Sequence, residues 1–154
     1  MNNADGESIF LIDSDFEVYK LNIMNGELIW AMKIPVDYES NIPSASPIQS
    51  GKYLIVPIST FETVLAMDPR HECCKTSGGI AAVDVNSGKI LWTHRIEEEA
   101  KSIGKGFITR VEKFAPSGSA VWNAPGIDIT DKRIFFGTGQ SLQSPASQYS
   151  DAII

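Results

Sequence analysis

The sequence predicts an all-β fold, a fragment of a β-propeller with about two to two and a half four-stranded antiparallel blades. Three observations predict it: an ungapped internal repeat, a second repeat interleaved with the first, and a succession of short strands joined by polar turns. In the first repeat VYKLNIMNGELIWAMKI (18–34) aligns on IAAVDVNSGKILWTHRI (80–96), an offset of 62 residues that matches Gly26 to Gly88, Trp30 to Trp92 and Ile34 to Ile96. In the second, ASPIQSGKYLIVP (45–57) resembles NAPGIDITDKRIFFG (123–137), with two extra residues at the turn. A period near 50–60 residues, with no long helical pattern, is a propeller signature.

Each element follows from local chemistry. SIFLID, the turn SDFE and VYKLN read as a hairpin. Both copies of the Trp repeat read as strand, tight turn, strand, with MNGE and NSGK placing a glycine where φ turns positive. Asp84 is placed to accept backbone N–H bonds from its turn, with Ser87 doing so more weakly. Trp92, on the outgoing strand, is expected to pack between blades and offer its indole N–H to a carbonyl. Two stretches interrupt the pattern. Residues 58–78 form an insertion in which FETVLAM makes one or two helical turns, ended by Asp68-Pro69. Residues 97–121 read as a polar connection, with Glu97-Glu98-Glu99 as a solvated run. Asp128 and Asp131 read as turn residues. The whole, 1–154, reads as one partial propeller domain, truncated at least at its C-terminal end, where SDAII stops inside an apolar run.

Composition excludes several classes. The chain is 43% hydrophobic and 21% charged, which is globular and not disordered. A net charge of −6 with no Lys/Arg run repels a phosphate backbone, so nucleic acid is excluded as a partner. No apolar run is long enough for a membrane span, and MNNADGES has no basic segment before an apolar one, so no signal peptide is read. His71 and His94 have no metal-ligand spacing between them.

The two cysteines, Cys73 and Cys74, are adjacent, which excludes a CxxC motif. Neighbouring Cα atoms lie about 3.8 Å apart, closer than the usual disulfide span, so a bond between them closes a tight ring. From residue chemistry alone, that ring and a pair of reduced thiols in a packed loop stand equal.

Ala82-Val83-Asp84-Val85-Asn86-Ser87-Gly88-Lys89-Ile90-Leu91-Trp92 resembles the tryptophan-docking motif of pyrroloquinoline-quinone (PQQ) dehydrogenases at every fixed position. The copy at 20–30 keeps Gly26 and Trp30 but has Lys20 and Asn22. The string around CCKTSGGIAAVD is similar to the polyvinyl-alcohol-dehydrogenase branch of that family. The resemblance implies a quinoprotein that oxidises an alcohol, small or polymeric, using PQQ and calcium, and passes electrons to an acceptor such as a cytochrome c. It implies that Cys73 and Cys74 form a vicinal disulfide packed on one face of PQQ, and that Trp122 is the floor opposite. Ser77 stands where the family has an arginine for a PQQ carboxylate, with Lys75 or Arg70 as substitutes. Gln140 stands where the family has Asn or Asp near the calcium. No catalytic residue falls within the chain, since the catalytic Asp base and main calcium carboxylate are expected elsewhere, so this piece is not expected to be active alone. A vicinal disulfide suits a periplasmic or secreted protein. The alternative is a non-catalytic PQQ-like propeller serving as a protein-interaction scaffold, which the departures at Ser77 and Gln140 favour.

Overall fold

The computed structural model describes residues 8–154. Residues 1–7, which hold most of the segment read for a leader, lie outside the described residues.

The first blade contributes β1 (Ser8–Ile12), β2 (Glu17–Asn22) and β3 (Leu28–Lys33), antiparallel in that order. Along β1, Ser8 and Phe10 are buried while Ile9 and Leu11 face out, the period of two that a half-covered strand requires. Asp13 closes the β1–β2 turn, its Oδ1 accepting the backbone N–H groups of Asp15 and Glu17 at 2.9 and 3.0 Å. The Tyr19 hydroxyl donates to Asp13 Oδ2 at 2.8 Å.

The second blade holds β4 (Asn41–Ile42), β5 (Ile48–Ser50), β6 (Tyr53–Thr60), β7 (Gly79–Asp84) and β8 (Ile90–Arg95). Both β5 and β4 pair with successive stretches of β6, which then pairs with β7 and β7 with β8. All residues of β6 after Tyr53, and all of β7 before Asp84, are buried, because these apolar strands are covered on both faces. A short helix, α1 (Glu62–Leu65), opens the excursion between β6 and β7. Beyond the blade comes a separate antiparallel pair, β9 (Lys101–Lys105) with β10 (Glu112–Ala115).

Core packing fixes the blade stack. Phe10, Phe16, Val18 and Ile34 of the first blade form one cluster with Leu54, Val56, Ala81 and Val83 of the second. A second cluster, Ile80, Ile96, Val121 and Phe136, binds the second blade to the next. Ile80 turns one way and its neighbour Ala81 the other, so one strand serves two interfaces. The next blade starts with β11 (Gly126–Asp128) and β12 (Arg133–Phe135), and Ile154 exchanges two backbone hydrogen bonds of 3.0 Å with Phe136.

The two copies of the Trp repeat fold alike. Gly26 and Gly88 have φ of 74° and 67°, and both hairpins bulge at the same place, Lys20/Leu21 and Ala82/Val83. Their roles differ from the expectation for Trp92. Trp30, from the degenerate copy, donates its indole N–H to the Val85 carbonyl at 3.1 Å and lies against Gly88 of the motif-perfect copy. A Cβ on Gly88 would sit 3.0 Å from the Trp30 ring. Trp92 is exposed on β8.

One further expectation, that for Glu97, is corrected. The polar 97–121 connection contains the β9–β10 hairpin. Glu97 is buried, unlike the exposed Glu98 and Glu99, because the chain leaving β8 carries it into the blade stack. In FETVLAM the helix is one turn, and hydrogen-bonded turns carry the chain on to Asp68.

Candidate functional site

Three stretches of backbone meet at one place. Residues 73–78 run parallel to 113–118, with Cys73 opposite Lys113 and Ser77 opposite Gly118. Phe114 N–H donates to the Cys73 carbonyl at 2.9 Å, and Gly118 N–H to the Thr76 carbonyl at 2.8 Å. On its other side the middle stretch pairs with 139–142: Ser119 N–H donates to the Gln140 carbonyl at 3.0 Å, and Gly139 N–H to the Ala120 carbonyl at 2.8 Å. This ladder brings together the segments that carry Cys73, Cys74, Ser77, Trp122 and Gln140, which lie far apart in sequence.

The side chains are placed differently from one another. Cys73 and Cys74 are joined by a disulfide across a cis peptide and are 1% and 0% exposed. Gln143 donates to Cys73 Sγ at 3.4 Å. Ser77 is buried, and its hydroxyl donates to the Gly78 carbonyl at 2.8 Å while accepting the Glu97 N–H at 2.9 Å. Trp122, in contrast, is 47% exposed. Its indole lies so close to Gly139 that a Cβ there would be 2.5 Å from Nε1, so only glycine lets the strand approach the ring. Gln140 is exposed, next to Gly139 in the chain.

The insertion is held by a carboxylate that sequence reasoning did not single out. Glu62, on α1, is 4% exposed and accepts the backbone N–H of Lys75 at 2.9 Å and of Thr76 at 2.8 Å, and the Thr76 hydroxyl at 2.5 Å. His71 Nε2 lies 3.4 Å from its other oxygen. A lone acid inside the apolar string FETVLAM was the available signal. Glu97 was hidden in an acidic run, yet it accepts the hydroxyl of Ser119, a buried residue held at a φ of 48°. Asn41 was also missed; its Nδ2 donates to the carbonyls of Ser59 and Ser77 at 3.0 and 3.1 Å.

The cations around this loop are engaged. Lys75 pairs with Glu72 at 2.8 Å and lies 4.3 Å from the Phe114 ring centre. Arg70 is highly exposed and turned to Asp68. Arg95 is the cation that reaches the loop next to Ser77, donating to the Lys75 carbonyl at 3.1 Å and pairing with Asp37 at 2.5 Å. The backbone N–H of Arg70 above all holds the Asp68 carboxyl below its ordinary range.

The half-exposed indole of Trp122 offers an apolar surface of the kind on which a flat aromatic ring stacks. The disulfide is enclosed within this segment, behind Gln143 and the 112–114 backbone. Among the described residues no group of three His, Cys, Asp or Glu side chains converges to hold a metal ion.

No family model matches the chain. It is 28% identical over 149 residues to a polyvinylalcohol dehydrogenase of a Pseudomonas species and 30% identical over 149 residues to one of Sphingopyxis sp. strain 113P3. Each alignment takes in 96% of this chain, which spans 23% and 22% of those relatives. Among solved structures, quinohemoprotein alcohol dehydrogenase ADHIIG from Pseudomonas putida HK5 superposes with a TM-score of 0.62 at 11% identity, covering 88% of this chain and 20% of the enzyme. BamB from Moraxella catarrhalis superposes with a TM-score of 0.52 at 18% identity, covering 88% of this chain and 33% of BamB. These structural likenesses establish the fold, a segment of a propeller of this type.

Proposed function

From a chain similar to polyvinylalcohol dehydrogenases along nearly its whole length, and folded as a segment of the quinoprotein alcohol dehydrogenase propeller, we propose that it forms part of an alcohol-oxidising quinoprotein. The observation that carries the reading is the half-open indole of Trp122, set in the ladder that also holds the Cys73–Cys74 disulfide. Bound PQQ would supply the two-electron acceptor for the alcohol. The chain's own part is to orient that ring and keep water from it: Trp122 offers the stacking face, Gly139 fixes the indole, and the disulfide stiffens the loop behind. In this reading Ser77 supports the loop from within, and Gln140 lends an amide oxygen to a calcium site whose carboxylates come from outside these residues. The substrate is an alcohol, small or polymeric, and the electron acceptor a protein such as a cytochrome c. The disulfide supports a periplasmic or secreted setting.

The second reading is a cofactor-free propeller acting as a protein-interaction scaffold. It is favoured by the burial of both cysteines and by the internal commitment of the Ser77 hydroxyl.

The discriminating experiment adds PQQ with calcium to the full-length apoprotein and follows tryptophan fluorescence, with Trp122→Ala as control. Saturable quenching that vanishes in the control supports the stacking site. Its absence at high micromolar PQQ sinks that reading in favour of the scaffold.

A further inference from the structure

The β9–β10 hairpin stands out from the acidic body. All five residues of β9 are exposed. The turn beyond it carries Phe107 and Ile108, 94% and 89% exposed, side by side at the tip. Tertiary packing accounts for neither, since both belong to no core cluster. The turn is nonetheless well defined: Gly106 N–H donates to the Val111 carbonyl at 2.8 Å, and Arg110 N–H to the Gly106 carbonyl at 2.9 Å.

Charge sets the hairpin apart as well. Between residues 101 and 113 lie Lys101, Lys105, Arg110 and Lys113 against the single acid Glu112, a net of +3 in a chain of net −6. Glu112 is engaged by the Ser102 hydroxyl, and none of the four cations makes an ion pair among the described residues. The base of the hairpin is tied to the disulfide segment through the Cys73 backbone.

An adjacent aromatic and aliphatic pair at an exposed tip, flanked by Lys105 and Arg110 with Lys113 and Lys101 further down the hairpin, matches the chemistry of an anionic lipid interface: apolar tip below the headgroups, ammonium and guanidinium groups among the phosphates. We infer that this hairpin is a peripheral anchor that seats the protein on an anionic lipid surface. An acidic protein partner would meet the same charge, but two tip side chains present roughly 300–400 Å², well short of the roughly 800 Å² per partner of a stable protein interface. A lipid surface needs no such area, because it accepts a small apolar tip while the cations add long-range attraction. The acidic remainder of the chain is repelled by the same surface, so contact is confined to this prong and the attachment is oriented.

The test uses the full-length protein and sedimentation with vesicles of phosphatidylcholine alone or with about a third phosphatidylglycerol. Binding is expected only to the anionic vesicles and should weaken as salt shortens the Debye length. The double variant Phe107→Ser/Ile108→Ser, and separately Lys105→Glu/Arg110→Glu, should each weaken it about tenfold or more. Both pairs lie in or beside an exposed turn, and circular dichroism checks that each variant keeps its fold. No binding by the folded wild type, or equal binding by wild type and both variants, overturns the inference. So does retention on immobilised polyglutamate with the same variant dependence but no vesicle binding, which would assign the hairpin to an acidic protein.

Discussion

Asp13 and Tyr19 show how one side-chain contact sets two titrations. The Tyr19 hydroxyl bond is the main cause that holds the Asp13 carboxyl below its ordinary value of 3.8, and the same bond pushes Tyr19 from 10.0 up to about 12. The signs differ. The raised Tyr19 value means its contribution to stability is full below pH 10.0 and is lost as pH rises through about 12. The lowered Asp13 value means its contribution is present above pH 3.8 and is lost as pH falls below that. Asp13→Ala removes both the acceptor of that bond and the charge beside it. Its Tyr19 should titrate closer to 10.0, read by phenolate absorbance against a Tyr19→Phe blank. An unchanged titration would mean that the bond is not the cause. Other residue-scale features were less legible in the sequence. Burial of Glu62 and Glu97 depends on donors, Lys75, Thr76 and Ser119, that arrive from other parts of the chain, and a charge count cannot see them. Trp122 entered the sequence reading through the family resemblance, and its approach to Gly139 is a tertiary contact that the sequence does not show.

At the scale of elements, the 62-residue repeat was readable because turn chemistry is local: each hairpin needs a residue of positive φ at the same place, and each has glycine there. Which tryptophan docks was not readable, since docking joins one blade to the turn of the next. The repeat supplies its own control. Gly26 and Gly88 share a conformation, but a Cβ at Gly26 meets nothing within 4 Å, whereas at Gly88 it meets the Trp30 ring at 3.0 Å. Gly26→Ala should cost about 1–2 kcal/mol from backbone conformation alone. Gly88→Ala should cost that plus roughly 1 kcal/mol or more for displacing the indole from its seat and from the Val85 carbonyl. Chemical denaturation of both variants measures the difference. Equal losses would show that the ring moves aside freely and that docking holds little of the blade interface. The β9–β10 hairpin escaped sequence reading for a related reason. Its strands alternate weakly and cover no core, so hydrophobic period, the main strand signal, is missing.

For the whole molecule, stacking matters more than any one sheet. Each blade is a thin sheet that buries its faces only against neighbours, as the two clusters on opposite sides of the second blade show. Stability is therefore shared along the stack, and the outermost surfaces are the weak points. On β8, Ile90, Leu91 and Trp92 are 37%, 43% and 39% exposed, although the same repeat position in the first blade, Trp30, is docked. Leu28 and Ile29 on β3 are also exposed. An exposed outer strand with apolar side chains invites pairing with another chain. The 154-residue polypeptide expressed by itself should accordingly associate, with an apparent mass in size-exclusion chromatography that rises with concentration. Trp92→Ser should lessen that association while leaving the Trp30–Gly88 docking intact, because the Val85 carbonyl and Gly88 receive the Trp30 indole. A monodisperse monomer with one sharp unfolding transition would contradict this. It would mean that two interblade clusters suffice to hold a partial stack, and that closure of the ring contributes less to this fold than its layered packing does.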